Sequence, residues 1–347
     1  MAVNKGELLG FGNPLLDISA PVSTDMLEKY ELKPFNAILA EEKHLPIYEE
    51  LVSNYEVEYL PGGATQNTVR FCQWMLQQPV GACAFVGCVG DDKYAKTLHK
   101  VATEVGVDVH YLVKDTHPTG TCACLITNNE RSLVANLAAA NEYEVSHFES
   151  EEIQNLVKNA KVFYISSFFL TASPQTALAV AKFAAKENRV FAMNLAAPFL
   201  CEVPPLFAHV KELIPYMDYV FGNEHEGAAI GKAMGWGTDL RVVAEKLAKE
   251  PKANEKRERT VLITQGPDPV IAYHDGKIQE YATTPCPKEE LKDLNGAGDA
   301  FVGGFLSQLI LGKPFKTCIE AGHYLGGVVI RQSGPTVPST GPTFVAK

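Results

Sequence analysis

Apolar residues along this chain fall into short dense runs, separated by longer stretches in which they recur every three or four positions. The dense runs at 8–11, 80–89, 162–165, 190–194, 219–221 and 261–264 predict buried strands. The periodic stretches predict helices over 64–76, 93–105, 150–158, 174–187, 206–214, from Asn223 onward, 239–249, 298–311 and 315–331. Strand and helix alternate regularly after Asn141, which predicts a mostly parallel sheet covered by helices on both faces.

Two regions break that rhythm. From 18 to 60 the pattern is mixed, with short extended pieces at 36–40 and 56–60. Segments 121–127 and 132–137 read as extended around Asn128-Asn129-Glu130-Arg131, which is hairpin chemistry. A further hairpin is predicted at 270–273 and 277–281 around Asp275-Gly276. The expected architecture is one α/β unit over 1–347, with a core of about 1–14, 61–106 and 142–347. Residues of about 15–60 and 107–141 would form a small β-sheet lid. A lid of this kind excludes water from a group transfer.

Composition narrows the function classes. The 347 residues are 46% apolar and 21% charged, ordinary for a globular chain. Lys and Arg total 31 against 41 Asp and Glu, a net charge of −10 with no basic run, which argues against nucleic-acid binding. Any phosphate site must therefore be built locally, from backbone N–H groups, a few cations and a metal ion. The eight cysteines form no Cys-x-x-Cys pair and have no accompanying histidine cluster, which argues against zinc. Cys83 and Cys88 sit in apolar runs and read as reduced core thiols. The first residues carry no apolar signal segment, and no run reaches the ~20 apolar residues of a membrane span. A cytoplasmic monomer is the expectation, with a nuclear pool also compatible.

The densest chemistry lies at Asp293-Leu294-Asn295-Gly296-Ala297-Gly298-Asp299, directly before an apolar helix. Gly296, Ala297 and Gly298 let backbone N–H groups approach an anion, and the helix N-terminus adds partial positive charge. Asp299 is then placed to accept a hydroxyl proton. A glycine turn with an acidic cap has the same local pattern. Other strand ends carry Gly62-Gly63-Ala64-Thr65-Gln66-Asn67, Asn223-Glu224-His225-Glu226 and Thr264-Gln265-Gly266. Ligands bind outside the carboxyl ends of strands in α/β sheets, so the shared placement of these motifs matters more than any one of them. Locally, Asn223 and Glu226 also fit a capped helix, and Arg131 fits a solvated turn.

These motifs resemble the ribokinase-like family of sugar and nucleoside kinases, whose signature is Asp-Thr-x-Gly-Ala-Gly-Asp. Leu294 stands where the family usually has Thr, a departure that bears on how a monovalent cation such as K⁺ would be held. The similarity covers nearly the whole chain. It extends through Gly12-Asn13-Pro14-Leu15-Leu16-Asp17, Pro118-Thr119-Gly120-Thr121-Cys122, 131–141, Phe168-Phe169-Leu170-Thr171 and Asn194-Leu195-Ala196-Ala197-Pro198-Phe199.

That series is most similar to the adenosine-phosphorylating members. It implies a three-layer core with a β-sheet lid, adenosine and ATP as substrates, and Mg²⁺ as cofactor. It also implies residue roles: Asp299 as base, Gly296 to Gly298 as anion hole, and Arg131 over the phosphates. Asp17 would grip the ribose, joined by Asn13, Gly62, Gly63, Ala64, Asn67 and Asn295. Ile38, Leu39, Cys122, Leu133, Ala135, Leu137, Phe168 and Phe199 would wall a slot for the purine. Asn223, Thr264, Gly266, Asn295 and His323 would attend ATP, and Glu226 would help hold Mg²⁺ through water.

Three other readings remain in view: a kinase of this fold acting on a sugar, a nucleoside-binding protein without catalysis, and a nicotinamide oxidoreductase. Leu15 occupies the third glycine position of a dinucleotide fingerprint, which disfavours the last. Gly312-Lys313 is followed by Pro314, so there is no Walker motif.

Overall fold

The computed structural model describes residues 3–34, 37–127 and 130–346. Fourteen strands appear in chain order among the described residues. They are β1 (Leu8–Phe11), β2 (Leu15–Pro21), β3 (Ala37–Leu39), β4 (Glu58–Gly62), β5 (Cys83–Gly90), β6 (Asp108–Lys114) and β7 (Thr121–Thr127). They continue as β8 (Glu130–Asn136), β9 (Val162–Ser166), β10 (Val190–Asn194), β11 (Tyr219–Asn223), β12 (Thr260–Gln265), β13 (Asp268–His274) and β14 (Lys277–Tyr281).

Nine strands form the large sheet in the order β14-β13-β12-β11-β10-β9-β1-β5-β6, and five form a small sheet in the order β3-β8-β7-β2-β4. The large sheet is parallel from β12 to β6, and β13 pairs antiparallel with both β12 and β14. Alternate residues of β1 serve opposite layers: Leu9 and Phe11 join one core cluster and Leu8 joins the other. The second cluster takes in Phe301 and Phe305 of the helix Ala297–Ile310. That helix is apolar around nearly its whole girth because it is wedged between the helices Ala64–Leu76 and Phe315–Val329. Its N-terminus is therefore fixed over the sheet.

Strand order reverses at β1, whose neighbours are β9 on one side and β5 on the other. The crevice outside the carboxyl ends of β1 and β9 is thus the switch point where such sheets take ligands. The small sheet reaches this crevice through β2, which leaves β1 after only Gly12-Asn13-Pro14.

The structure corrects the predicted lid in two respects. Residues 108–114, assigned to the lid, form β6 and pair in parallel with β5 at the edge of the large sheet. As an edge strand, β6 is only partly buried and lacks the dense apolar run that marks the central strands. The lid also contains the helices Thr24–Lys29 and Pro46–Asn54. Their Met26, Leu27, Ile47 and Leu51 cover one face of the small sheet against Ile18, Ala123, Leu125 and Val134. Both helices are too short for a 3.6-residue period to stand out. Asn36 of the predicted 36–40 piece and the Asn128-Asn129 turn lie outside the described residues. No described helix is long and apolar enough to cross a membrane.

Candidate active site

A cavity of about 400 Å³ opens where the lid meets the switch-point crevice. Its wall draws on β2, the lid strands β3, β7 and β8, the carboxyl ends of β9 to β12, the Ala64–Leu76 helix and the loop from Leu294 to Asp299. It collects Asn13, Asp17, Ile38, Leu39, Gly63, Ala64, Asn67, Cys122, Arg131, Leu133, Ala135, Leu137, Phe168, Asn223, Glu226, Thr264, Asn295, Gly296, Gly298 and Asp299 in one place. Of the other residues picked out in the sequence, Gly62 backs directly onto Asp17, where a Cβ would sit 2.1 Å from the carboxylate. Phe199 flanks the wall with its ring 6.2 Å from Phe168. His323 lies behind Phe301, their rings 5.5 Å apart, and Gly266 sits in an exposed turn outside the wall.

The anion-hole loop is built as its composition suggests, with one change. Gly296 takes a left-handed φ of +78°, a conformation that other residues enter only at a cost, and so starts the helix abruptly. The Ala297 N–H donates to the Leu294 carbonyl at 3.2 Å and is therefore spent. The N–H groups of Gly298 and Asp299 find no partner among the described residues, as expected in a helix's first turn. The Gly296 N–H is likewise unpartnered among the described residues, so of the expected set only Ala297 is spent, and space beside Gly298 is open.

Three carboxyls face this cavity, Asp17 and Glu226 buried and Asp299 half-buried. Burial pushes Asp299 up to about 7, opposed by the hydrogen bond it accepts from Asn67 Nδ2 at 3.1 Å. Burial likewise raises Asp17 to about 7, opposed by the charge of Arg131. It also raises Glu226 to about 7, opposed by the Asn223 backbone N–H. Such matched, perturbed acids gather where proton transfer or cation binding is needed.

Asn223 and Glu226 form a complete capping box. Asn223 Oδ1 accepts from the N–H groups of His225 and Glu226 at 2.9 Å, and Glu226 Oε2 accepts from the Asn223 N–H at 3.0 Å. The capped-helix reading thus holds, and it presents Glu226 to the cavity at the same time. Asn13 Nδ2 donates to the Phe168 carbonyl at 3.0 Å across the crevice. Its Oδ1 is buried without a partner, as are Asn295 Nδ2 and Ser166 Oγ. Buried polar atoms left open this way ask for a polar ligand.

Arg131 does not reach into open space. Its Nε donates to Asp293 Oδ1 at 2.6 Å, a second N–H donates to Oδ2, and a third donates to Ser19 Oγ at 2.7 Å. Asp293 also accepts from the N–H groups of Asn295 at 2.9 Å and Gly334 at 2.5 Å. The first residue of the signature thus ties the lid arginine to the anion-hole loop. Sequence reasoning gave Asp293 no role, because its partner lies far away along the chain. Ser166 and Asn194 were also missed as wall residues, although Asn194 stands in a segment that marked the resemblance.

The pfkB family carbohydrate kinase model matches residues 24–341. Adenosine kinase 2 of Arabidopsis thaliana is 52% identical over 335 residues, covering 96% of each chain. The crystal structure of Anopheles gambiae adenosine kinase in complex with P1,P4-di(adenosine-5) tetraphosphate superposes with a TM-score of 0.93 at 46% identity, covering 97% of this chain and all of that one. Adenosine kinase from Schistosoma mansoni in complex with adenosine and AMP has a TM-score of 0.91 at 35% identity, covering 97% of this chain and 98% of that one.

Proposed function

The chain belongs to the pfkB family of carbohydrate kinases, and from that premise we propose that it transfers the γ-phosphoryl group of ATP to the 5′-hydroxyl of adenosine. The observation that carries this reading is a single cavity holding both halves of the reaction. Asp299 and free N–H groups share its wall with Asp17 and an apolar slot. The names of the full-length relatives support the choice of acceptor.

Asp17 accepts hydrogen bonds from the ribose 2′ and 3′ hydroxyls, as carboxylates do at other ribose sites. The open Asn13 Oδ1 and Asn295 Nδ2 complement the same sugar. Ile38, Leu39, Leu133, Ala135, Leu137 and Phe168 give the flat base an apolar slot. Cys122 and Phe199 border it. Asp299, near neutrality in its affinity for a proton, takes the 5′-hydroxyl proton as that oxygen attacks. The Gly298 and Asp299 N–H groups and the helix N-terminus face the charge that spreads over the transferring group. Arg131 adds a cation at the lid side, steadied by Asp293.

The Glu226 carboxylate would hold Mg²⁺ through water, since a buried carboxylate raised to about 7 favours a nearby cation. That ion would neutralise phosphate charge. A K⁺ ion beside Leu294 would have to share its oxygen donors with the protein. Both Asp293 carboxylate oxygens and the Leu294 carbonyl already accept protein hydrogen bonds.

The test is turnover with Mg²⁺-ATP and a panel of adenosine, inosine, guanosine, ribose and fructose, reading ADP and AMP. AMP from adenosine, with no ADP from the sugars, is the expected result. ADP formed only with ribose or fructose would overturn the purine slot.

A further inference from the structure

A spacing that argued against metal in the sequence becomes a cluster in the fold. Strands β2 and β7 pair in parallel with Asp17 opposite Cys122, and Ser19 opposite Cys124. Residues two apart on a strand share a face, so Cys122 and Cys124 point the same way as Asp17. Their ligand atoms, one oxygen and two sulfurs, all lie within 4.8 Å of one another, and all three residues are buried. Asp17 and Cys122 line the cavity wall, so the cluster is reached through the nucleoside slot.

We propose that Asp17, Cys122 and Cys124 form an inhibitory site for a thiophilic divalent cation of the Zn²⁺ class. Two thiolates and one carboxylate make a soft, three-ligand set. The cavity supplies the open fourth position that such ions fill with water. Each thiol gives its proton to solvent as the sulfur binds, and Asp17 gives up any proton it still holds, so at least two protons leave per ion and no electron moves. The three negative charges exceed the two of the ion. The neighbouring Arg131 guanidinium is already paired with Asp293, so it offers limited opposition. A bound ion takes the Asp17 carboxylate away from the ribose and fills the floor of the slot. It therefore competes with adenosine. The metal site stands on the geometry alone, whereas the competition rests on the nucleoside reading.

Cadmium is the direct probe, since its thiolate complexes absorb in the ultraviolet. The purified full-length chain, without nucleotide, should show this absorption saturating with one high-affinity ion. Cys124→Ser, Cys122→Ala and Asp17→Asn should each weaken cadmium binding. The loss should exceed the roughly tenfold effect of removing a mere supporting partner of a ligand. Cys286→Ser, which alters a half-buried thiol outside the cluster, should leave the titration unchanged. Saturating adenosine should suppress the signal. In turnover assays zinc should raise KM for adenosine with kcat unchanged.

Unchanged cadmium affinity in both single cysteine variants would overturn the site. Cadmium binding that the variants abolish but adenosine leaves intact would overturn the competition. A chain that does not bind adenosine at all would sink the nucleoside reading, while the variant titrations still decide the metal site.

Discussion

At the scale of single residues, desolvation holds the carboxyls of Asp17, Glu226 and Asp299 near neutrality. The proposed base Asp299 would work only when ionised, so kcat should fall on the acid side of about pH 7. A pH–rate profile taken between about pH 5 and 9 checks this; a flat profile on the acid side would contradict it. The same desolvation has a stability consequence with a definite sign. Folded Asp299 holds its proton up to about 7, against 3.8 in an ordinary environment. The native state therefore binds more protons than the unfolded one across that window, and this group's contribution to stability falls as pH rises through it. Asp299→Asn removes the cost, so the variant should melt higher than the parent at pH about 8, with the gap closing toward pH about 5. Asp17→Ala should instead weaken adenosine binding, and an unchanged calorimetric affinity would remove Asp17 from the ribose site. Asp299, Asp17 and Asn67 were legible because each belongs to a short motif at a strand end or helix start. Asp293 was not, since its meaning comes from Arg131, which only the tertiary fold brings near.

At the scale of elements, the site depends on where strands and helices stop. Gly62 closes β4 against Asp17, and a Cβ there would lie 2.1 Å from the Asp17 carboxylate. Gly62→Ala should raise KM for adenosine more than it lowers kcat, because it displaces the ribose anchor and leaves the anion loop alone. The Arg131–Asp293 pair joins β8 to the loop before the Ala297–Ile310 helix, and both side chains are largely buried. Removing one partner of a buried pair strands the other, at a cost of roughly 3–5 kcal/mol. Asp293→Ala should accordingly lower the melting temperature and speed hydrogen exchange in β8. A variant with unaltered exchange would mean that the pair does not hold the lid. The central strands and long helices were readable from hydrophobic period. Edge strand β6 and the two short lid helices were not. A half-exposed edge and a turn or two of helix carry too few periodic positions to separate from loop.

At the scale of the molecule, two sheets divide the labour. The large sheet and its helices fix the anion loop and Asp299, while the small sheet brings Asp17 and the apolar slot. The sequence made this division visible through motifs at successive strand ends, although it drew the lid boundary through β6. The partition predicts that phosphoryl transfer and nucleoside binding can be separated by one substitution. The measurement that tests this most directly pairs turnover with calorimetric adenosine affinity in Asp299→Asn. In this variant kcat should drop by roughly 10²–10⁴, the range for loss of a general base, while adenosine affinity stays close to that of the parent. Near-normal turnover in that variant would contradict the assignment of Asp299 and, with it, the central claim.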